Sequence, residues 1–265
     1  MIIKVEANNR FNLSSTSKGN QIKWFQNNMY IKADSMGYEG FAEVLTSELL
    51  KYIDMPFSYI DYFPCKIQEK GKQYSGCYSY NYLVPNECFV SIARLLECQY
   101  KNIGLIYKKY TGKALADFIV QLIKEQTSLD ITEYLSILTK FDYLILNEDR
   151  HFNNINFIYN SITKTYKIGP IFDNGLSLLS DTTDYDILDT IVANIKQVKS
   201  KPFSSSFSKQ VAYFDDKPLR IDIQGYYKAL EEHKDLYANN KYYLRAVNVL
   251  NRQLKSLEGK IWIKS

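Results

Sequence analysis

In residues 146–154, Leu-Asn-Glu-Asp-Arg-His-Phe-Asn-Asn, Asp149 and Asn154 stand five positions apart. An acid and a neutral amide at that separation suit phosphoryl transfer. The acid orients or deprotonates an attacking hydroxyl, and the amide offers an oxygen to Mg²⁺ without adding repulsion against phosphate. A second acid, Asp173, stands in Pro-Ile-Phe-Asp-Asn-Gly (170–175), directly after a predicted strand. Mg²⁺ commonly takes one or two protein carboxylates beside phosphate oxygens, so Asp173 is a candidate ligand. Its place before Asn-Gly also suits an Asx turn. His151 invites a reading as general base, but a packing and backbone-bonding role fits better. His233, in Glu-Glu-His-Lys-Asp, reads as a solvated residue on a charged helical face.

Lys32 lies in Met-Tyr-Ile-Lys-Ala-Asp, and Glu43 lies one turn into the helix predicted after it. A strand lysine paired with a helical glutamate can steady the α- and β-phosphates of a nucleotide. Glu39 competes with Glu43 as the partner, because helix starts favour acids in any case. Upstream, Ser-Thr-Ser-Lys-Gly-Asn-Gln-Ile-Lys (15–23) is a Ser/Gly segment opening onto a strand, able to offer backbone N–H groups to phosphate.

These residues need elements to hold them. Gln-Ile-Lys-Trp-Phe and Met-Tyr-Ile-Lys-Ala-Asp read as a hairpin or two adjacent strands. Phe41, Leu45 and Leu49, widened by Ala42, Leu50 and Ile53, mark an amphipathic helix. Two more strands follow on either side of the turn Glu-Lys-Gly-Lys. From Pro85 onward helical spacing dominates, interrupted by one hairpin around Asn-Ser-Ile-Thr-Lys; beyond Leu179 the chain reads as helical apart from a polar loop near 199–210. The expected fold is α+β in two lobes, a sheet-rich lobe over 1–84 and a larger helical lobe over 85–265, with a cleft between them. The stretch Ser79–Val84 then joins the lobes and should bond an adenine base through its backbone.

Bulk properties narrow the class. Hydrophobic residues make up 46% and charged residues 23%, as in an ordinary globular chain. The 23 Tyr and 14 Phe supply large burial area. A net charge of +4 is too mild for the clustered basic stripe of a direct nucleic-acid binder. The four cysteines are scattered without a Cys-x-x-Cys pair, which argues against a zinc ribbon or a redox dithiol. No run approaches the roughly 20 apolar residues of a membrane span. A soluble, cytoplasmic chain with reduced cysteines and no secretory leader is expected.

Asp149 to Asn154 reproduces the Asp-x-x-x-x-Asn spacing of the protein-kinase catalytic loop. With the other segments in register, the chain resembles the HipA-type bacterial serine/threonine kinases from about Ser14 to Leu178. The most specific segments are Asn-Glu-Asp-Arg-His-Phe-Asn-Asn and Pro-Ile-Phe-Asp-Asn-Gly-Leu-Ser-Leu. The resemblance implies a two-lobed protein-kinase-like fold, ATP and Mg²⁺ as cofactors, and phosphorylation of a protein Ser or Thr. It makes Asp149 the catalytic acid and Asn154 and Asp173 the metal ligands. Lys32, Gly19, Asn20, Gln21, Lys23, His151 and Phe172 become nucleotide-site residues, with Glu43 in support. It also implies autophosphorylation, with Thr16 and Ser17 the nearest hydroxyls, and leaves room for a small antitoxin-like regulator. Asn174 stands where kinases carry the Phe of Asp-Phe-Gly, and the additional N-terminal subdomain of longer relatives has almost no room here. A small-molecule or phosphoinositide kinase would use the same nucleotide machinery, and a nucleotide-binding pseudokinase is the non-enzyme alternative.

Overall fold

The computed structural model describes residues 1–11, 21–214, 217–237, 240–257 and 263–264. Its first 80 residues hold a six-stranded sheet: β1 (Ile2–Lys4), β2 (Arg10–Phe11), β3 (Lys23–Gln26), β4 (Met29–Ala33), β5 (Phe63–Glu69) and β6 (Lys72–Tyr80), in the spatial order β1-β5-β6-β4-β3-β2. β3 and β4 form the expected hairpin. Its two turn residues, Asn27 and Asn28, have φ of 52° and 59°, the left-handed pair that a tight hairpin turn requires. β1 is parallel to β5 and was not marked by any alternation in the sequence.

Helix α1 (Glu39–Leu50) crosses the sheet. It is not the half-exposed amphipathic helix that its spacing predicts, since every residue but Glu48 is buried. Leu45 and Leu49 enter the large core, whereas Glu43 turns toward the sheet. The approach is close because glycines meet there. A Cβ on Gly40 would lie 2.7 Å from the backbone of Gly76 in β6, and one on Gly76 would lie 2.0 Å from the carbonyl oxygen of Lys32.

Two cores result. Ile3, Val5, Trp24, Ile31, Ala33, Cys65 and Ile67 pack together on the sheet. The second and larger core joins α1 to the helical lobe. That lobe comprises α2 (Ile92–Gln99), α3 (Ile103–Lys109), α4 (Gly112–Thr127), α5 (Thr132–Ile145), the short α6 (Ile191–Ile195) and α7 (Phe207–Val211), α8 (Ile223–Glu232), α9 (Lys234–Tyr237) and α10 (Tyr243–Leu257). The expected α+β architecture of a sheet lobe and a helical lobe is present.

Two stretches depart from the sequence reading. Glu87–Ser91, expected to begin a helix, is strand β7, pairing with β8 (Asn156–Asn160), which pairs in turn with β9 (Thr165–Ile168). Cys88, Phe89 and Val90 suit a strand, and helix α2 starts only after Ser91, whose side chain caps it by accepting from Arg94 N at 3.1 Å. Residues 180–190, expected to be helical, are irregular, and they follow Leu178 and Leu179 at φ of 53° and 61°. Late in the chain β10 (Leu219–Arg220) and β11 (Ile263–Lys264) add a small parallel pair. No helix among the described residues is long and apolar enough to cross a membrane, and all four cysteines are free.

Candidate active site

Helix α5 is buried along most of its length and ends where Leu146 adopts a left-handed conformation (φ 57°), its N–H returning to the Asp142 carbonyl. The left-handed cap turns the chain sharply, and the next residues are organised by the Asp142 side chain. Its carboxylate accepts from Asn147 Nδ2 at 3.0 Å and from Arg150 Nε and Nη2, each at 3.0 Å. Asn147 Oδ1 in turn accepts from Asp149 N at 3.0 Å. Arg150 also donates to the carbonyls of Asn154 (3.2 Å) and Phe172 (2.7 Å) and to the side chain of Asn174. One buried guanidinium thus ties α5, the 147–154 loop and the segment bearing Asp173 together.

Asp149 is buried but faces a narrow cleft, also lined by Gln21, Lys23, Met36, Glu39, Asp173, Gly175 and Leu176. Its Oδ1 accepts from Lys201 Nζ at 2.9 Å. Nothing in the spacing of the sequence pointed to Lys201. Asn154 is buried and is not a lining residue of the cleft. Its Nδ2 donates to the Asp149 carbonyl at 3.1 Å, so its link to the cleft runs through Asp149. Both ring nitrogens of His151 lack hydrogen-bond partners, while its backbone bonds to Asp149 and Asn154. Burial, which favours the neutral ring, lowers the His151 pKa against the opposing pull of Asp149.

Lys32 sits deeper. Its Nζ lies 2.6 Å from Glu43 Oε1 and 2.6 Å from Asp173 Oδ1, with Tyr62 OH at 3.3 Å. Glu43 uses its other oxygen to accept from Asn174 N at 2.8 Å, bridging the strand lysine to the Asp173 segment. Glu39 points elsewhere, accepting from the N–H groups of Ser35, Met36 and Gly37 at the start of α1. Burial alone would drive the Lys32 ammonium down, but Asp173 and Glu43 hold it well above the lysine range. Burial likewise opposes ionisation of Asp173, yet Lys32 and then Lys23 hold its carboxyl below the usual range, so it is an anion. Burial raises the Glu43 carboxyl, and Lys32 opposes that rise. Asp173 has φ of 56°, and among the described residues its carboxylate bonds to Lys32 across 141 positions, whereas the Asx turn needs a neighbouring amide.

Phe172 contributes its carbonyl to Arg150 and stacks on Phe89 at 6.0 Å. The structure therefore gathers Asp149, Asp173, Gln21 and Lys23 at one cleft, with Lys32 and Glu43 behind it and joined to it through Asp173. Gly19, Asn20, Thr16 and Ser17 lie outside the described residues. The acidic groups that line the cleft, Asp149 and Asp173, offer oxygen donors of the kind a hard divalent cation such as Mg²⁺ takes, and Asn154 stands behind Asp149.

The chain as a whole is similar to a solved bacterial kinase. It aligns over 96% of its length with the crystal structure of the Helicobacter pylori proinflammatory kinase CtkA, of which it covers 94%, at a TM-score of 0.57 and 16% identity. The fold is two-lobed and kinase-like. No family model matches the sequence, and no curated protein does. In this chain β4 carries Lys32, α1 carries Glu43, and the loop after α5 carries Asp149 and Asn154.

Proposed function

We propose that this protein is an ATP- and Mg²⁺-dependent kinase that phosphorylates a serine or threonine hydroxyl of a protein, as the HipA-type kinases it resembles do. The observation that carries the proposal is the position of Lys32 Nζ, 2.6 Å from both Glu43 and Asp173, behind the cleft that Asp173 and Asp149 line together. Those four groups are the parts that phosphoryl transfer requires from a kinase fold.

In this reading Lys32 steadies the nucleotide phosphates, held charged and aimed by Glu43. Gln21 and Lys23 cover the phosphates from the sheet side, together with Gly19 and Asn20. Asn154 and Asp173 would hold Mg²⁺, which when bound supplies neutralisation of the phosphate charge. Asp149 orients the acceptor hydroxyl and takes its proton. Most of the rate gain comes from positioning and charge neutralisation. The chain itself is the first candidate acceptor, through Thr16 or Ser17.

The test is transfer of labelled γ-phosphate from ATP to the protein itself and to a generic protein substrate. Wild type should incorporate label, and Asp149→Asn should lose about a hundredfold or more. Wild-type transfer by Asp149→Asn would overturn the mechanism. Mass spectrometry of the labelled products separates a protein acceptor from a metabolite or lipid headgroup.

A further inference from the structure

Protein cations near a transferring phosphate do electrostatic work that water cannot. The 147–154 loop holds no free cation for this purpose. Arg150 is buried in its ties to Asp142, Asn154 and Phe172. His151 Nε2 stands 3.6 Å from Asp149 Oδ2, and neither ring nitrogen has a hydrogen-bond partner. The ammonium that reaches Asp149 comes from Lys201, 52 positions further along the chain.

Lys201 is not a loose surface side chain. The residues on either side of it are anchored. Ser200 donates from N to the Ser205 carbonyl at 3.2 Å and from Oγ to the Ser204 carbonyl at 2.6 Å. Phe203, 4% exposed, packs edge-on against Phe152 at 5.6 Å, and its N–H is held by Gln210 at 3.0 Å. Phe152 belongs to the same loop as Asp149, so the root of Lys201 and the catalytic loop share a packed contact. The side chain is 47% exposed, which leaves its ammonium half open to solvent while Asp149 beside it is only 7% exposed.

We infer that Lys201 is a positioning residue for the proposed reaction: its ammonium fixes Oδ1 of Asp149 and leaves Oδ2 to the acceptor hydroxyl. In the step it serves, the hydroxyl oxygen bonds to the γ-phosphorus, the bond from that phosphorus to the bridging oxygen breaks, ADP leaves with the electron pair, and the hydroxyl proton passes to Oδ2. Lys201 exchanges no proton or bond in this step. A half-exposed ion pair contributes little to stability, so the role is visible in turnover rather than in folding.

This inference rests on the kinase reading, and the experiment separates the two. Wild type, Asp149→Asn, Lys201→Met, Lys201→Arg and the double variant Asp149→Asn/Lys201→Met are compared by steady-state transfer, by calorimetric binding of ATP with Mg²⁺, and by thermal melting. Lys201→Met should lower kcat about tenfold to a hundredfold. Its KM for ATP, nucleotide affinity and melting temperature should stay near wild type, and Lys201→Arg should recover most of the rate. The double variant should lose nothing beyond Asp149→Asn, because the two side chains act as one unit. A wild-type or raised kcat in Lys201→Met, a loss confined to KM, or no recovery in Lys201→Arg overturns the role of the lysine. If at the same time Asp149→Asn is inactive, the kinase reading stands without it. A wild type that transfers nothing overturns both.

Discussion

The guanidinium of Arg150 meets the carboxylate of Asp142 inside the helical lobe, with Nε and Nη2 each 3.0 Å from an oxygen and neither side chain more than 1% exposed. A fully buried pair of this kind is costly to break, because the remaining charge stays desolvated. Asp142→Leu should therefore lower stability by about 3–5 kcal/mol in urea melts. Asp142→Leu/Arg150→Met, which removes both charges, should regain much of that loss. It should not regain turnover, since the bonds from Arg150 to the Asn154 and Phe172 carbonyls are gone. Equal stability of the single and double variants would contradict this account.

The two acids of α1 should separate by phenotype. Glu39 accepts three backbone N–H groups ahead of the helix, so Glu39→Ala should cost about 1–2 kcal/mol of stability, as loss of an N-terminal cap does. Glu43→Gln keeps a similar shape but gives up the charge 2.6 Å from Lys32. It should melt close to wild type and lose about tenfold or more in turnover. Melting curves and transfer rates on the same preparations check both, and a reversed pattern would exchange their roles.

Asp34 makes stability depend on pH. Its carboxylate accepts from Gly40 N at 2.6 Å, yet burial, helped by Glu39, raises its pKa from 3.8 to about 7. The folded state thus binds a proton more tightly than the unfolded chain. Its contribution is fully present below about pH 4 and is lost as pH rises toward 7. Asp34→Asn should be more stable than wild type above pH 7, by at most about 4 kcal/mol, and equal to it near pH 4. Melting temperatures across pH 4–8 measure the gap, which must widen with pH.

ATP with Mg²⁺ should raise the melting temperature, as any ligand of the folded state does; at a hundred times its Kd the gain is about 2.7 kcal/mol. Chelation of the metal should remove most of the shift. In Asp173→Asn the response to nucleotide should no longer depend on Mg²⁺, because the anionic oxygen proposed for the metal is missing. A chelator-insensitive shift in wild type would separate nucleotide binding from the proposed metal ligands.

Several of these groups were legible in the sequence because chemistry constrains spacing. Asp149 and Asn154 flank one loop, Asp173 follows a hairpin, and Lys32 alternates with Ile31 and Ala33 so that it leaves the sheet on the face opposite their core. The α1 acids were ambiguous, since periodicity cannot say which side of a helix buried all round meets a sheet. Tyr62 and Lys201 were silent because their partners lie across the fold: they touch Lys32 and Asp149 only through tertiary contact. Strand β7 was read as helix because its pairing partner β8 lies over sixty residues later, and only that pairing decides between the two conformations. The irregular run after Asp173 follows its hydrogen bonds into the site: Glu148 N bonds to the Leu176 carbonyl and Leu178 N to the Ile145 carbonyl, each in place of a helical partner.

Where α1 passes over β6, bare main chain faces bare main chain at Gly40 and Gly76, so no side chain there can be trimmed or lengthened to reset the gap. The distance from helix to strand is therefore a fixed gauge, and Glu43 spans it at one length. An aspartate in its place, though equally charged, stops one methylene short of the ammonium it has to meet.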